Sequence, residues 1–511
     1  MSPKDLEQAS RDELVNLVVE AHEQREQLEH QLRWFKKQLF GAKSERRTDL
    51  TADPSQLNLG ETFASTAAPD EKARVVRAHT RRERTAREEG AEPGLRFDDS
   101  VPIRRIEIPN PELDGLGEDE LIEIDERVTH QLAQQPASYV VIEYVRKVVK
   151  RRDTGEITCP PAPSSVLDRS YADVSLLAGM LVDKLRYHLP LYRQHQRMNA
   201  AGVTLSRASL TNWTHRAIEL LEPIYQAQWA SVLESLVLAM DETPIRAGRK
   251  AKGKMRQGYY WPIYGDRHEV VFPYASSRAH KHVEAFLGNF AGTLLTDGYG
   301  AYPAYAKQRA KVEHALCWAH TRRGFVKAED VEPVRVARAL DFIGELYEIE
   351  AEIQAKKREG LQLRGDRSRQ VVAEFFEWLK HELAEGALLP RNPFTVAASY
   401  ALERRRGLEV FLGDADVPID TNHLERTLRP IPMGRKSWLF CWTELGAERV
   451  GQAQSLITTC VLQGVDPYTY LVDVLQRVAT HPAAHVVELT PRMWKERFAD
   501  DPIRSALHAP A

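Results

Sequence analysis

Between residues 236 and 317 the apolar residues change rhythm, and this stretch constrains the fold more than any other. Leu236-Val237-Leu238-Ala239-Met240 is a run of strand length that ends on Asp241-Glu242-Thr243-Pro244. Residues 259–264 and 269–274 flank Gly265-Asp266, a hairpin signal. The spacing predicts a helix over 280–290, then a strand at Thr293-Leu294-Leu295 that runs into Thr296-Asp297-Gly298-Tyr299. Another helix leads to a fifth strand over 311–317. Strand, strand, strand, helix, strand, helix, strand describes a mixed α/β layer.

Around this layer the chain divides by composition. Over residues 1–45 apolar side chains alternate at spacings of three and four: Leu14, Val18, Ala21, Leu28, Leu32, Phe35 and Leu39, with Arg11 and Arg25 interrupting the seam. That pattern fits an amphipathic helix docked on its own protein or a self-associating coiled coil. Residues 46–95 read as a linker, and 72–87 within it carry seven basic residues against one Glu. Such a run is a solvated segment or a contact for a DNA backbone. Residues 96–165 predict a small β module of short strands. Its clearest stretch, 138–152, breaks at Asp153-Thr154-Gly155.

Residues 166–232 predict helices. One runs from Pro190 to Ala201 and stops at Gly202; Val203-Thr204-Leu205 reads as a turn, and Ser206 caps a second helix through Leu221. The second helix buries Leu210, Trp213, Ala217 and Leu220 and shows Arg207, Thr211, Asn212 and His215 on its other side. Helix, short turn, polar-faced helix is the outline of a helix-turn-helix DNA reader, and also of many helical domains. The α/β layer occupies 233–330 and resumes at 405–445, interrupted by charged helices over 331–404; a helical tail over 446–511 closes the chain.

Composition excludes several classes. With 511 residues, 43% hydrophobic and 28% charged, the chain supports several folded domains and is neither disordered nor collagen-like. No apolar stretch approaches the ~20 residues of a membrane helix, and no secretory signal is expected. Cys159, Cys317, Cys441 and Cys460 stand far apart, so a disulfide framework is not expected and a reducing cytosol is. Seventy basic residues against 73 acidic leave a net charge of −3, so any nucleic-acid case rests on local clusters.

Asp241 and Asp297 each follow an apolar strand, where ligand groups converge in open α/β sheets. Glu425 starts a helix that stops at Pro430. Three carboxylates from distant segments suit hard divalent cations, and two such ions about 3.5–4 Å apart stabilise the attacking and leaving oxygens at a phosphodiester. Other readings stand beside this one. Asp at a strand end also forms turns or caps helices. Asn422 to Glu425 has capping-box spacing, and Glu425 could instead pair with Arg429. Arg426, Arg429, Arg435 and Lys436 crowd beside Trp438 and Phe440, as phosphate ligands or as an ordinary solvated face. Arg246, Arg249, Lys250, Lys252, Lys254 and Arg256 read as a second basic loop. Cys317-Trp318-Ala319-His320, followed by Arg322-Arg323, has the spacing of half a zinc site or of buried packing.

Taken in order, these pieces resemble the IS-sixty-six (IS66) family of bacterial insertion-sequence transposases, of the DDE type, over nearly the whole chain. The resemblance rests on the Leu-rich start with Leu39-Phe40-Gly41-Ala42-Lys43-Ser44-Glu45, on Leu189-Pro190-Leu191-Tyr192-Arg193-Gln194, and on the two Asp motifs. It continues through Cys317-Trp318-Ala319-His320-Thr321-Arg322-Arg323, Glu425-Arg426 to Arg429-Pro430, and Gly434-Arg435-Lys436-Ser437-Trp438-Leu439-Phe440. It implies an RNase-H-like core with a helical insertion, preceded by coiled coil, β module and helix-turn-helix-like domain. Asp241, Asp297 and Glu425 would be the metal-binding, catalytic triad, holding two Mg²⁺ with Mn²⁺ able to substitute. Arg207, Asn212, His215, Arg322, Arg323, Arg426, Arg429, Arg435 and Lys436 would contact DNA, and Cys317 and His320 would be structural.

Implied partners are DNA (element ends and target), further copies of the chain and helper proteins of the same element, with no membrane, in the bacterial cytoplasm at the nucleoid. Two departures matter. Family members usually carry two CxxC pairs in the β module, whereas here only Cys159 remains, so no zinc is expected there. The usual Gly-Ser after the Trp-Leu-Phe motif is Cys441-Trp442. A DNA-binding regulator without catalysis and a nuclease that cuts without joining remain as alternatives.

Overall fold

In the computed structural model of the chain, the described residues are 95–508 apart from 100, 111–120, 136–137, 164, 252–253, 357–361, 386–387 and 439–440. The expected coiled-coil helix of residues 1–45 and nearly all of the basic linker lie outside them. Every element below belongs to the unit Glu92–Ala511.

The first strands are β1 (Arg96–Phe97), β2 (Ile103–Glu107), β3 (Leu121–Gln135), β4 (Ser138–Arg151) and β5 (Ile157–Thr158). β3 and β4 pair antiparallel along their length, β2 runs parallel to β4 on its other side, and β5 adds to the end of β4. The expected short strands are therefore corrected to a long hairpin of 15- and 14-residue arms. Alternating Val, Ile and Tyr in β4 carry the burial, and the mostly polar β3 is held as a strand by its partner.

Helices α1 (Val174–Leu185) and α2 (Leu191–Ala200) follow, then β6 (Val203–Thr204) and α3 (Arg207–Leu233). Gly202 ends α2 at φ +82°, where a Cβ would strike the Asp98 carboxylate. The expected turn at 203–205 begins instead with a strand, since Val203 and Thr204 pair with Phe97 and Arg96 of β1. Ser206 caps α3 as expected, its Oγ accepting from the Ser209 N–H. The helix does not stop at Leu221 but runs on to Leu233 through Pro223. Buried Ile224, Tyr225, Gln228 and Val232 hold that extension, and the Gln228 amide donates to the Val270 carbonyl and to Thr459 Oγ1 at 2.7 and 2.9 Å. Tertiary packing outweighs the missing proline N–H.

The central layer contains β7 (Val237–Met240), β8 (Thr243–Ala251), β9 (Lys254–Tyr260), β10 (Ile263–Gly265), β11 (Glu269–Val271), β12 (Tyr274–Ala275), α4 (His280–Leu287), β13 (Gly292–Thr296), α5 (Ala301–Lys307) and β14 (Val312–Leu316). Five strands form one sheet in the order β11-β10-β7-β13-β14. β10 is antiparallel to both its neighbours, while β7, β13 and β14 are mutually parallel. The expected strand over 259–264 breaks at Trp261-Pro262, so that β9 joins β8 and β12 in a separate three-stranded sheet. The segment 246–256, read as a basic loop, is corrected to the arms of the β8–β9 hairpin. Buried Ile245 and Ala247 turn one face of it inward while the charges stay outside.

The remaining elements are helical: α6 (Trp318–Val326), α7 (Pro333–Lys356), α8 (Arg369–Glu385), α9 (Pro393–Glu403), α10 (Arg405–Glu409), α11 (Asn422–Leu428), α12 (Pro430–Trp438), α13 (Glu444–Leu462), α14 (Pro467–Arg477) and α15 (Pro491–Arg497). As expected, the insertion between β14 and Glu425 is helical; Phe342, Phe375, Phe376 and Phe394 pack there around Trp318 and Phe325 of α6. Helices α1, α3, α13 and α14 share a hydrophobic cluster with β8. Among the described residues no helix is long and apolar enough to cross a membrane.

One buried cation ties the insertion to the loop before α11. Arg364 meets both oxygens of Glu350 at 2.8 and 2.7 Å, and its Nη1 donates to the carbonyls of Phe411, Asp414 and Val417 at 3.0, 2.8 and 3.1 Å. Removing one partner of a buried pair leaves the other charge uncompensated. Arg364→Met is therefore expected to cost about 3–5 kcal/mol in urea unfolding, with part of the loss recovered when Glu350→Gln is added.

Candidate active site

The parallel pairing of β7 and β13 builds the centre of the site. Leu295 stands opposite Ala239 in that ladder, and Asp241 and Asp297 each lie one residue beyond the end of their strand, near enough that the charge of Asp297 acts on Asp241. Strands so paired lie about 4.8 Å apart. Each acid is fixed by its own chain. The Asp241 carboxylate accepts from the Glu242 N–H at 2.7 Å, and that of Asp297 from the Tyr299 N–H at 2.8 Å. Between Asp297 and Tyr299, Gly298 adopts φ +87°, and a Cβ there would lie 3.0 Å from the Tyr400 hydroxyl. Tyr400, from α9 of the insertion, donates to the Asp297 carbonyl at 2.6 Å, and the Arg404 guanidinium covers its ring at 4.0 Å.

Glu425 comes from α11, near enough for its charge to act on Asp241. The alternative capping box is not formed: the Asn422 N–H donates to the Asp420 carboxylate at 2.9 Å, and the Thr421 side chain makes no cap bond to the helix. Cys317 and Trp318 anchor its approach. The buried Cys317 Sγ accepts from the Thr421 N–H and hydroxyl, each at 3.3 Å, and the Trp318 N–H donates to the Ile419 carbonyl at 3.1 Å. Burial pushes the Cys317 thiol up, away from the thiolate. Glu425 Oε1 accepts from the Arg323 guanidinium and sits 3.7 Å from His320 Nε2. The alternative pairing with Arg429 is not made by the side chain; Arg429 instead donates its N–H to the Glu425 carbonyl at 3.2 Å.

The electrostatics register the convergence. Burial, then the charges of Asp297 and Glu425, push the Asp241 carboxyl up to about 7, against the pull of Arg323 and Arg278. Burial and the Arg323 charge depress His320, whose buried Nδ1 has no hydrogen-bond partner. Among the described residues no three His, Cys, Asp or Glu side chains stand close enough together to hold a metal ion as they are arranged. Chemically the donors nonetheless fit a hard divalent cation: oxygen-only ligands, two of them side by side, carrying mutually repelling charge.

The expected DNA contacts distribute unevenly. Arg323 pairs with Glu425, and exposed Arg322 is its neighbour on α6. Arg435 donates to the Pro244 carbonyl just after Asp241, and Arg429 and Lys436 are exposed nearby in sequence. Arg426 instead lines a cavity with Tyr264, His268 and His423. On α3, Arg207 and Asn212 are exposed, with Arg207 over the Tyr192 ring at 5.8 Å, whereas His215 Nδ1 accepts from Arg449 at 2.9 Å. Burial and that cation hold His215 below the usual histidine range.

Sequence reasoning missed Glu242, Arg278 and Tyr302. The Glu242 side chain is only 4% exposed, paired with Arg278 and accepting from the Tyr302 hydroxyl at 2.7 Å. Arg278 also lies 4.1 Å over the Tyr299 ring. The available signal was Glu242 itself, a second acid directly beside Asp241.

Residues 169–449 match the family described as Transposase IS66 family, residues 455–492 match its IS66 C-terminal element, and residues 27–106 match Transposase C of IS166 homeodomain. The chain belongs to the IS66 transposase family, and DNA is the partner that membership implies. Relatives in Sinorhizobium fredii (strain NBRC 101917 / NGR234) include the uncharacterized proteins y4hP, 31% identical over 92% of this chain and 89% of its own, and y4jD, 29% identical over 96% and 97%. A third, the uncharacterized protein y4qI, is 31% identical over 74% of this chain and 72% of its own.

Two outcomes are expected. Gly298→Ala should lose about 1–2 kcal/mol in urea unfolding, because its backbone lies in the left-handed region. Burial depresses His314 to about 4, with Asp297 raising it and Arg404 lowering it further. The unfolded chain therefore binds this proton first, so stability is lost as pH falls from about 6.5 towards 4. His314→Gln should flatten that part of the stability profile measured by thermal unfolding.

Proposed function

We propose that the chain is a Mg²⁺-dependent DDE transposase that cleaves the ends of an insertion sequence and joins the freed 3′-hydroxyl to target DNA. The observation that carries this reading is that Asp241 and Asp297 directly follow adjacent parallel strands, with Glu425 near enough for its charge to act on Asp241. The β11-β10-β7-β13-β14 order, with antiparallel strands on one side and parallel ones on the other, supports an RNase-H-like core.

When bound, two divalent ions would supply activation of the attacking oxygen and stabilisation of the leaving oxygen. Asp241, Asp297 and Glu425 are the residues that would hold them. Holding an ion in common requires Glu425 to give up Arg323, and a DNA phosphate is a natural recipient for that guanidinium. Arg429, Arg435 and Lys436 would orient the scissile strand, while the Glu242–Arg278 pair keeps the Asp241 turn in place. In the first step water attacks phosphorus and the 3′-oxygen leaves as a hydroxyl. In the second that hydroxyl attacks a target phosphodiester, displacing the target strand's 3′-oxygen.

The segments around the core take the roles their sequences suggest. Residues 1–45 would bring copies together, the basic run at 72–87 would hold DNA backbone, and α2–α3 would present Arg207 and Asn212 to element ends. A DNA-binding regulator without cleavage is the second reading, favoured by the engagement of Glu425 with Arg323.

The test is strand transfer on labelled DNA carrying the repeats that flank the gene, with Asp297→Asn. Loss of several kcal/mol of transition-state stabilisation predicts a drop of about a thousandfold. Folded variant protein with wild-type joining ends the triad assignment. Band shifts without Mg²⁺-dependent cleavage in the wild type would favour the regulator.

A further inference from the structure

β14 is the outer strand of the five-stranded sheet, paired among the described residues with β13 alone. Beside it lies a cleft of about 880 Å³ whose floor includes Val312, His314 and Leu316, alternate residues of that strand. One wall is α5 and the turn after it, the other the corner between α9 and α10. At Gly407 the corner presses close on the strand, since a Cβ there would lie 2.7 Å from the Leu316 side chain. The cleft runs the length of β14, about 17 Å at about 3.3 Å per residue, and its inner end is Gly298, next to Asp297.

Charge in this cleft is unbalanced. Lys307, Lys311, Arg404 and Arg406 line it against Glu313 and Glu403. Arg404 is paired with Glu403 at 3.2 Å, while among the described residues Lys307, Lys311 and Arg406 make no ion pair. Among the residues that line it there is no Phe, Tyr or Trp ring for base stacking. Such a lining suits a phosphate backbone rather than bases. The volume is that of a small-ligand site, too confined for a duplex to lie within it.

We propose that this cleft is a track for single-stranded DNA, guiding a strand past β14 to or from Asp297. The proposal rests on the transposase reading and adds to it a strand-binding surface distinct from α2–α3 and from the arginines of α11 and α12. Lys307, Lys311 and Arg406 hold successive phosphates, and the floor of β14 keeps the strand in the cleft.

The experiment uses the full chain with Lys307→Glu and Arg406→Glu combined, in chelator-containing buffer. Fluorescence anisotropy is read with a labelled single-stranded oligonucleotide and with a blunt duplex of the same sequence. Single-strand affinity should fall about tenfold or more, and the slope of log affinity against log salt should shrink by about 1.4, or about 0.7 for each lost phosphate contact. Duplex affinity should stay within about twofold. The matched Gln variants should show a smaller loss in the same direction. Single-strand affinity and slope equal to wild type in folded variant protein would overturn the proposal, as would an equal loss for both DNAs. Because no divalent ion is present, the outcome is independent of the triad: wild-type joining by Asp297→Asn would sink the catalytic reading and leave this one standing.

Discussion

Two like charges held side by side are the constraint on which the rest of the arrangement depends. The β7–β13 ladder leaves Asp241 and Asp297 no choice of neighbour, because their register is fixed by buried pairs such as Leu294 opposite Leu238. Burial first, and then the charge of Asp297, raise the Asp241 carboxyl, the cost of ending the sheet on two neighbouring acids. The surrounding cations and hydrogen bonds are then intelligible as restraint. Arg278 and Tyr302 hold Glu242, Tyr400 holds the Asp297 carbonyl, and Arg323 meets Glu425.

Delivery of the third acid is a problem of chain path. Glu425 lies more than a hundred residues beyond β14, and the intervening helices bring it back through a few specific contacts. Cys317 and Trp318, directly after β14, grip Thr421 and Ile419 directly before α11, so the CxxH segment acts as a hinge pin between core and returning chain. Arg364 locks the preceding loop from the insertion side. The residue that replaces the family's usual glycine after the Trp-Leu-Phe motif also has a place here. Cys441 exchanges backbone bonds with β8, its N–H donating to the Arg246 carbonyl at 2.9 Å.

Much of this was legible in the residues, and the exceptions have physical causes. The core strands could be read because short apolar runs end on Asp or Gly, and a buried strand needs little else. The β3 arm could not, since its polar sequence is held in the sheet by β4 rather than by its own pattern. Pro223 and the charges of 246–256 argued locally for a break and a loop; packing of Gln228 and Ile245 overrode both. At the site, the acids were visible as strand-end residues, but the partners of Glu242 and Glu425 are long-range pairs that no spacing rule announces. His215 looked like a free polar position on α3 because Arg449, which engages it, is 234 residues away.

The central claim is that Asp241, Asp297 and Glu425 hold divalent ions together. Titration of the full chain with Mn²⁺, followed by the loss of its free-ion electron paramagnetic resonance signal, tests this most directly. The account predicts two Mn²⁺ bound per chain, with binding weakened alike by Asp241→Asn, Asp297→Asn and Glu425→Gln. Mn²⁺ binding left unchanged by Glu425→Gln in folded protein would contradict it.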